Sequence, residues 1–301
     1  MTPTQLKQLL AIYEQGSLGR AAQRLRISEP ALSKSLKALE DELGVPLMDR
    51  GPRGMSPTVF GEALAGHARV IREEFEQALR HIAELRGMGR GFVSVGAAPS
   101  FTASLLPAAC ARLLVRHPQI HVTVSEGLLD TLVPKLLRSE FDFLLVTLRE
   151  EPLAPELAQT PLRIDPTAVL ARANHPLAGR ANLKLEDLLD SPWVLPRPPD
   201  RLRAWIDQRF VAAGLRTPTT AIDFGSVNFA RAALMSADVL TFLPLELFAD
   251  ELSRGEVVVV RASGTRWDRT VGVTYRKRNS LTPAARALIQ EIRAVCGKPS
   301  A

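Results

Sequence analysis

Apolar positions recur at helical spacing three times near the start of the chain, and the intervals between the repeats are short. Leu6, Leu9, Leu10 and Tyr13 form the first stripe, which Gln15-Gly16 ends. Leu18, Ala21, Ala22 and Leu25 form the second; Leu32, Leu36, Leu39 and Leu43 form the third. The gap between the last two is too tight for an ordinary loop and predicts a helix-turn-helix, with the paired alanines letting the helices cross closely. Ser28 stands where an N-cap belongs, and Pro30 follows in the first turn, where a missing N–H costs nothing. Gly44-Val45-Pro46 then predicts a turn, and Leu47-Met48 a short strand running into Asp49-Arg50-Gly51-Pro52-Arg53-Gly54, a tight hairpin or wing.

From about Pro57 to Arg86 the period changes. Leu64, Ala68, Ile71, Phe75, Ala78, Ile82 and Leu85 alternate steps of four and three, a heptad seam flanked by charged residues. The seam predicts a long dimerisation helix; the alternative is a helix lying on its own domain. Gly87 to Gly91 follows a helix and precedes a strand, the reverse of a phosphate-binding loop, and reads as a hinge. Beyond it, short apolar runs alternate with helical ones. Strands are expected over Phe92–Gly96, Ile120–Val124 and Phe141–Thr147, with helices over Ser104–Val115 and Thr131–Leu137. A second set places strands at Ala168–Ala171, Ala221–Phe224 and Val239–Phe242, with helices at Leu202–Ala213 and Val227–Met235. Strands over Val257–Val260 and Val271–Tyr275 and a helix over Pro283–Val295 complete two small α/β lobes.

The third stripe leaves Glu29, Ala31, Ser33, Lys34 and Lys37 facing outward, residue types that suit base edges and phosphate. Taken alone they are the solvated face of an amphipathic helix, and the wing is an ordinary charged turn. Their adjacency favours a DNA interface made by Ser28, Glu29, Pro30, Ser33, Lys34 and Lys37, with Arg50 and Arg53 of the wing on phosphates or in the minor groove. Gly16-Ser17, Ala21-Ala22, Leu25, Ser28, Pro30-Ala31-Leu32-Ser33, Leu39-Glu40, Leu43-Gly44 and Leu47 resemble the signature of LysR-type transcriptional regulators. That family usually carries Gln before the proline. Glu29 stands there in this chain, and a carboxylate accepts from cytosine where Gln reads adenine, so the base preference at that step stays open.

The resemblance implies an α/β chain with an N-terminal all-α winged helix-turn-helix, a long linker helix and a two-lobed effector domain like a periplasmic binding protein. The expected boundaries are 1–58 for the DNA-binding domain, 59–90 for the linker helix and hinge, and 91–301 for the effector domain. Lobe I would take about 91–162 and 268–301, and lobe II about 163–267. In such lobes a ligand lies at the carboxyl ends of strands, near helix N-termini. The resemblance places effector contacts at Ser100, Phe101, Thr102, Thr147 and Ser226, several of which also read as plain helix caps. Arg149, Arg201 and Arg203 are candidate partners for an anionic effector such as a carboxylate. The PSFTASLLP and SPWVLP stretches resemble a branch of the family that controls uptake and catabolism of sugars and aromatic acids.

Composition narrows the alternatives. The 301 residues are 46% hydrophobic and 23% charged, enough for two or three domains with cores of their own. The net charge of +6 suits a polyanionic partner, yet residues 1–58 hold eight Lys/Arg against six acids. Attraction to DNA must therefore come from placement. Cys110 and Cys296 each sit in an apolar helical pattern, and buried free thiols are expected, in keeping with a reducing cytoplasm. No stretch approaches the ~18 apolar residues of a membrane span, and no secretory leader is visible.

An enzyme is not expected: Gly-x-Ser-x-Gly, P-loop and Cys-x-x-Cys motifs are missing, and Pro118 keeps His117 and His121 off one helical face. A secreted solute-binding protein is the stronger rival. The reading is a cytoplasmic, ligand-responsive DNA-binding regulator with no cofactor and no metal. Its expected partners are a quasi-palindromic operator in double-stranded DNA, a small-molecule effector, a second copy through the linker helix, a homotetramer built from such dimers, and RNA polymerase.

Overall fold

A computed structural model of the chain describes residues 1–51, 54–85, 91–277 and 281–297. They form two compact units that divide near residue 90.

In the first unit, α1 (Pro3–Gln15) opens on a capping box between Thr2 and Gln5, and Gly16 closes it in the left-handed region at φ 59°. Helix α2 (Leu18–Leu25) is capped by Ser17, and Arg26, also left-handed, turns the chain into α3 (Glu29–Leu43). Leu9, Ile12, Ala21, Ala22, Leu32, Leu36 and Leu39 share one core. Ala21 is fully buried, as a close helix crossing demands. Leu43 departs from the expected stripe: it lies in the last turn of α3 and is exposed. Strands β1 (Met48–Gly51) and β2 (Gly54–Pro57) pair antiparallel from Met48↔Pro57 to Gly51↔Gly54, forming the wing.

Helix α4 (Val59–Leu85) uses its heptad seam in two ways. Leu64 and Ala68, with Ala65, pack on Leu6 and Leu10 of α1, whereas Ile71, Phe75, Ala78 and Ile82 are exposed. The period is continuous; among the described residues, the intramolecular partner serves only its N-terminal part. The side chain of Leu85 and the hinge residues 87–90 lie outside the described residues.

The second unit runs β3 (Phe92–Ala97), α5 (Pro99–Thr102), α6 (Leu105–Arg116), β4 (His121–Glu126), α7 (Leu129–Leu137), β5 (Phe143–Thr147) and β6 (Leu157–Arg172). It continues with β7 (Trp193–Pro196), α8 (Arg201–Ala212), β8 (Thr220–Phe224), α9 (Val227–Ser236), β9 (Thr241–Pro244) and α10 (Ala249–Ser253). Strands β10 (Val257–Val259) and β11 (Trp267–Arg276) and helix α11 (Pro283–Cys296) complete it. Strand β3 lies between β4 and β5, parallel to both. Strand β11 runs antiparallel to β5 on one side and to β6 on the other, and β9 and β10 pair with the far end of β6.

Three cores follow. Val95, Phe143 and Leu145 face α6 and α11, while Leu132, Leu136, Leu144 and Val146 fill the opposite side of the same lobe. Trp193, Phe210, Phe242 and Phe248 centre the second lobe. The two lobes are joined by the long antiparallel pair β6 and β11.

Several expectations need correction. The strand expected over Ala168–Ala171 is the end of a 16-residue strand, which before Ala168 carries Pro161, Arg163, Asp165 and Pro166 and so lacks an apolar run there. Strand β7 was not expected, because two prolines bracket its buried Trp193-Val194-Leu195. The helix expected from Ser104 begins at Leu105, after the separate turn α5, with the Ser104 hydroxyl donating to Ser100 O. Cys110 and Cys296 are free thiols but only half-buried.

Candidate functional sites

In the first unit the candidate interface is the start of α3 and the wing. The Ser28 side chain accepts from Ala31 N at 3.4 Å, so the helix begins one residue later with its first turn exposed. Glu29, Pro30, Lys34 and Lys37 are exposed, Ser33 is half-buried, and Arg50 projects from β1 into solvent. Among the described residues Lys34, Lys37 and Arg50 have no carboxylate partner. By contrast, Arg24 and Arg72 are drawn to Glu14 at 2.7 and 3.3 Å. Arg53 lies outside the described residues.

The wing is tied to the helices at both strands. Glu40 of α3 accepts from Leu47 N at 2.7 Å and Met48 N at 3.2 Å, and Met55 N donates to Gly16 O at 2.9 Å. Gly54 sits at φ 112°, where a Cβ would stand 2.4 Å from Gly16 O, so only glycine fits.

In the second unit a cleft of about 780 Å³ opens between the lobes. Lobe I contributes the carboxyl ends of β3, β4 and β5 through Ala98, Ser100, Glu126 and Thr147; lobe II contributes Pro196, Phe224 and Leu243 from the ends of β7, β8 and β9. Leu128, Val133, Leu153 and Val227 add apolar wall, and Arg149, Arg197, Arg201 and Arg269 add charge.

Arg269 organises the lobe I side, and sequence reasoning missed it. Its Nη2 donates to Asp165 at 2.6 Å and to Ser100 Oγ at 3.1 Å, and its Nη1 to Thr147 Oγ1 at 3.3 Å. Its guanidinium also lies 5.0 Å from the centre of the Phe101 ring. Burial pulls its pKa down, opposed by Asp165. No motif surrounds Arg269 or Asp165 in sequence; they meet because β11 and β6 pair at Arg269↔Asp165.

The cleft brings together only part of the expected effector set. Ser100, Thr147 and Arg201 line it, and so does Arg149. Phe101 does not: it is buried in the lobe I core. Thr102 is not among the lining residues either; its hydroxyl donates to Pro99 O and bonds Glu126, two residues that are. Ser226 is an exposed cap of α9, accepting from Phe229 N, while its neighbours Gly225 and Val227 reach the cleft. Arg203 is held by Asp207 and Asp223. Phe101, Thr102 and Ser226 stand at the expected junctions, and the phase of the helical turn there decides which side chains reach the cleft.

Comparison with known proteins decides the family. The model for the LysR substrate binding domain matches residues 86–297, and that for the bacterial regulatory helix-turn-helix protein, lysR family, matches residues 3–62. This chain belongs to the LysR family of transcriptional regulators. The HTH-type transcriptional regulator GalR of Pseudomonas putida is 32% identical over 290 residues, covering 96% of this chain and 73% of that protein. The SDS degradation transcriptional activation protein of a Pseudomonas species is 32% identical, with 94% and 93% covered. Full-length OxyR of Pseudomonas aeruginosa, a cysteine-to-aspartate variant, superposes with a TM-score of 0.68 at 27% identity, covering 98% of this chain and 94% of that one. Full-length CbnR in complex with its target DNA shares the fold at a TM-score of 0.67 and 23% identity, covering 98% and 100%.

As a LysR-type regulator, the chain is a DNA-binding protein with a substrate-binding domain, and its relatives are transcriptional regulators rather than enzymes. Among the described residues no helix is long and apolar enough to cross a membrane.

Proposed function

We propose that this regulator reads a quasi-palindromic operator with paired copies of α3 and its wing, and that a small acid in the lobe cleft sets its output. On this reading residues 1–58 bind DNA, 59–90 join and dimerise, and 91–301 bind the effector, with lobe I at about 91–162 and 268–301. The α3 side chains Ser28, Glu29, Pro30 and Ser33 approach base edges; Lys34, Lys37, Arg50 and Arg53 neutralise phosphate.

The observation that carries the DNA assignment is that Lys34, Lys37 and Arg50 are exposed beside a capped helix start and, among the described residues, have no carboxylate partner. For the effector, Arg149, Arg197 and Arg201 line the cleft with no carboxylate in ion-pair range among the described residues, in a lining that also holds Glu126, Asp130, Asp200 and the apolar Leu128, Val133, Leu153 and Val227. An acid with an apolar body satisfies both the arginines and the apolar residues. The exposed run Ile71, Phe75 and Ile82 supports pairing of two chains through α4, and pairs of such dimers make the tetramer. The assembly works in the cytoplasm, beside RNA polymerase. Effector binding changes the posture of the lobes and through it the DNA bend.

The test for the DNA face is Lys34→Ala, measured against DNA from the chain's own genomic neighbourhood across a salt series. Affinity should fall on all sequences, and the slope of log K against log salt should flatten by about one. An unchanged slope removes Lys34 from the phosphate contacts.

A further inference from the structure

The cleft arginines differ in what they hold. Arg269 has Asp165 as its counter-ion. Arg201, the first residue of α8 in lobe II, instead reaches across the cleft and donates Nη1 to two main-chain oxygens of lobe I, Leu148 O at 2.9 Å and Thr147 O at 3.3 Å. Both acceptors are neutral. Its guanidinium also stands 5.7 Å from the Trp267 ring centre, and Trp267 stacks on Trp205 of α8 at 5.5 Å. The same side chain therefore lines the ligand cleft, ties one lobe to the other and touches the strand that joins them.

We infer that Arg201 is a latch between the lobes, and that an acidic effector opens it by taking the guanidinium away from the Thr147 and Leu148 carbonyls. The inference rests on the anionic reading of the cleft and adds how occupancy becomes lobe movement. The exchange is favourable on physical grounds. Hydrogen bonds from a guanidinium to a carboxylate are charge-assisted on both sides and accept the planar fork through two oxygens, whereas the carbonyls offer two separate neutral acceptors. Burial disfavours the charge on Arg201, and Arg149 and Arg269 press the same way. An incoming carboxylate relieves all three guanidinium groups. Asp200, the adjacent residue, does so only in part, because its carboxylate caps α8 by accepting from Leu202 N at 2.7 Å and burial pushes its pKa up. Once released, the Thr147 and Leu148 carbonyls at and just past the end of β5 turn to water, and α8 loses the Arg201 tie to them.

Hydrogen exchange on the full chain, read by peptide, tests the latch without any ligand. Arg201→Gln removes the span between lobes and should raise exchange across residues 147–153 and 198–204 by about tenfold, the scale of losing one or two such bonds. Arg201→Lys, which keeps the charge but not the fork, should fall between Arg201→Gln and the parent; it also serves if the glutamine variant does not fold. The second arm uses hexanoate and 3-phenylpropionate, with hexanol and 3-phenylpropanol as uncharged matches. The acids, and not the alcohols, should raise the melting temperature of the parent and raise exchange over the same peptides. They should bind Arg201→Gln at least about tenfold more weakly, with no further change in exchange. Unchanged exchange in ligand-free Arg201→Gln, or equal responses of variant and parent to the acids, overturns the latch and leaves the anionic cleft standing. Raised exchange in the variant with no acid stabilising the parent overturns the anionic reading itself, and the proposed trigger with it.

Discussion

Arg269 meets Asp165 through two nitrogens, Nη2 at 2.6 Å and Nε at 2.9 Å from one carboxylate oxygen, and both side chains are 3% exposed. The pair joins β11 to β6, the two strands that run through both lobes, and sets the hydroxyls of Ser100 and Thr147 at the cleft wall.

Breaking this pair on one side leaves a buried, uncompensated charge. Asp165→Asn should destabilise the protein by about 3–5 kcal/mol, because a lone buried guanidinium loses the attraction that offsets its desolvation. Urea unfolding of the full chain measures it; a loss under about 1 kcal/mol would mean that water reaches Arg269 and solvates it.

Gly54→Ala should disable the wing without touching the effector cleft. The new Cβ would stand 2.4 Å from Gly16 O at a φ of 112°, so β2 must shift away from the turn between α1 and α2. DNA affinity should drop, about tenfold or more, while ligand-induced thermal shifts of the effector unit stay as they were. Parent-like operator binding would show that wing placement does not matter.

The exposed part of the α4 seam predicts an association defect. Phe75 is 57% exposed between Ile71 and Ile82, and a charge placed there faces the partner helix. For Phe75→Lys, sedimentation equilibrium should report a shift toward the single-chain mass of 32.9 kDa, with weaker binding to two half-sites than to the parent's operator level. Retention of the parent's assembly would place the contact elsewhere.

Acid should weaken the second lobe through His175. The imidazole is 4% exposed, and its Nδ1 accepts from Leu177 N at 3.1 Å, which requires the neutral ring. Burial lowers its pKa below the ordinary 6.5, with Asp238 opposing and Arg172 adding. The native state thus binds fewer protons than the unfolded chain in this range, so stability is held above pH 6.5 and falls as pH drops below it. Melting temperatures between about pH 7.5 and 5 should decline on the acid side, and His175→Asn should flatten that decline. An equal slope in the variant would assign the loss to other groups.

Much of the fold could be read from residue order because its signals are local. Ser28, Pro30 and Gly44 mark the ends of α3 by capping geometry, and the alanine pair marks a helix crossing. The strand at Trp193–Pro196 and the first half of β6 were not legible, since prolines and charges interrupt their apolar runs and the pairing partners are distant in sequence.

The candidate sites divide in the same manner. Lys34 and Lys37 were readable as exposed cations because a helical period alone sets which face they occupy. Phe101, Thr102 and Ser226 do not line the cleft, because a junction names the neighbourhood of a cleft but not which side chains turn into it.

Sequence by itself determined the capped helices, the heptad period and the family signature, all of which depend on residues within a few turns of one another. Only the tertiary structure decided that Ile71, Phe75 and Ile82 stay exposed, that Arg269 pairs with Asp165 and that Arg201 crosses the cleft. Those facts arise from strand register and lobe packing between residues up to about a hundred apart, where no local propensity reaches.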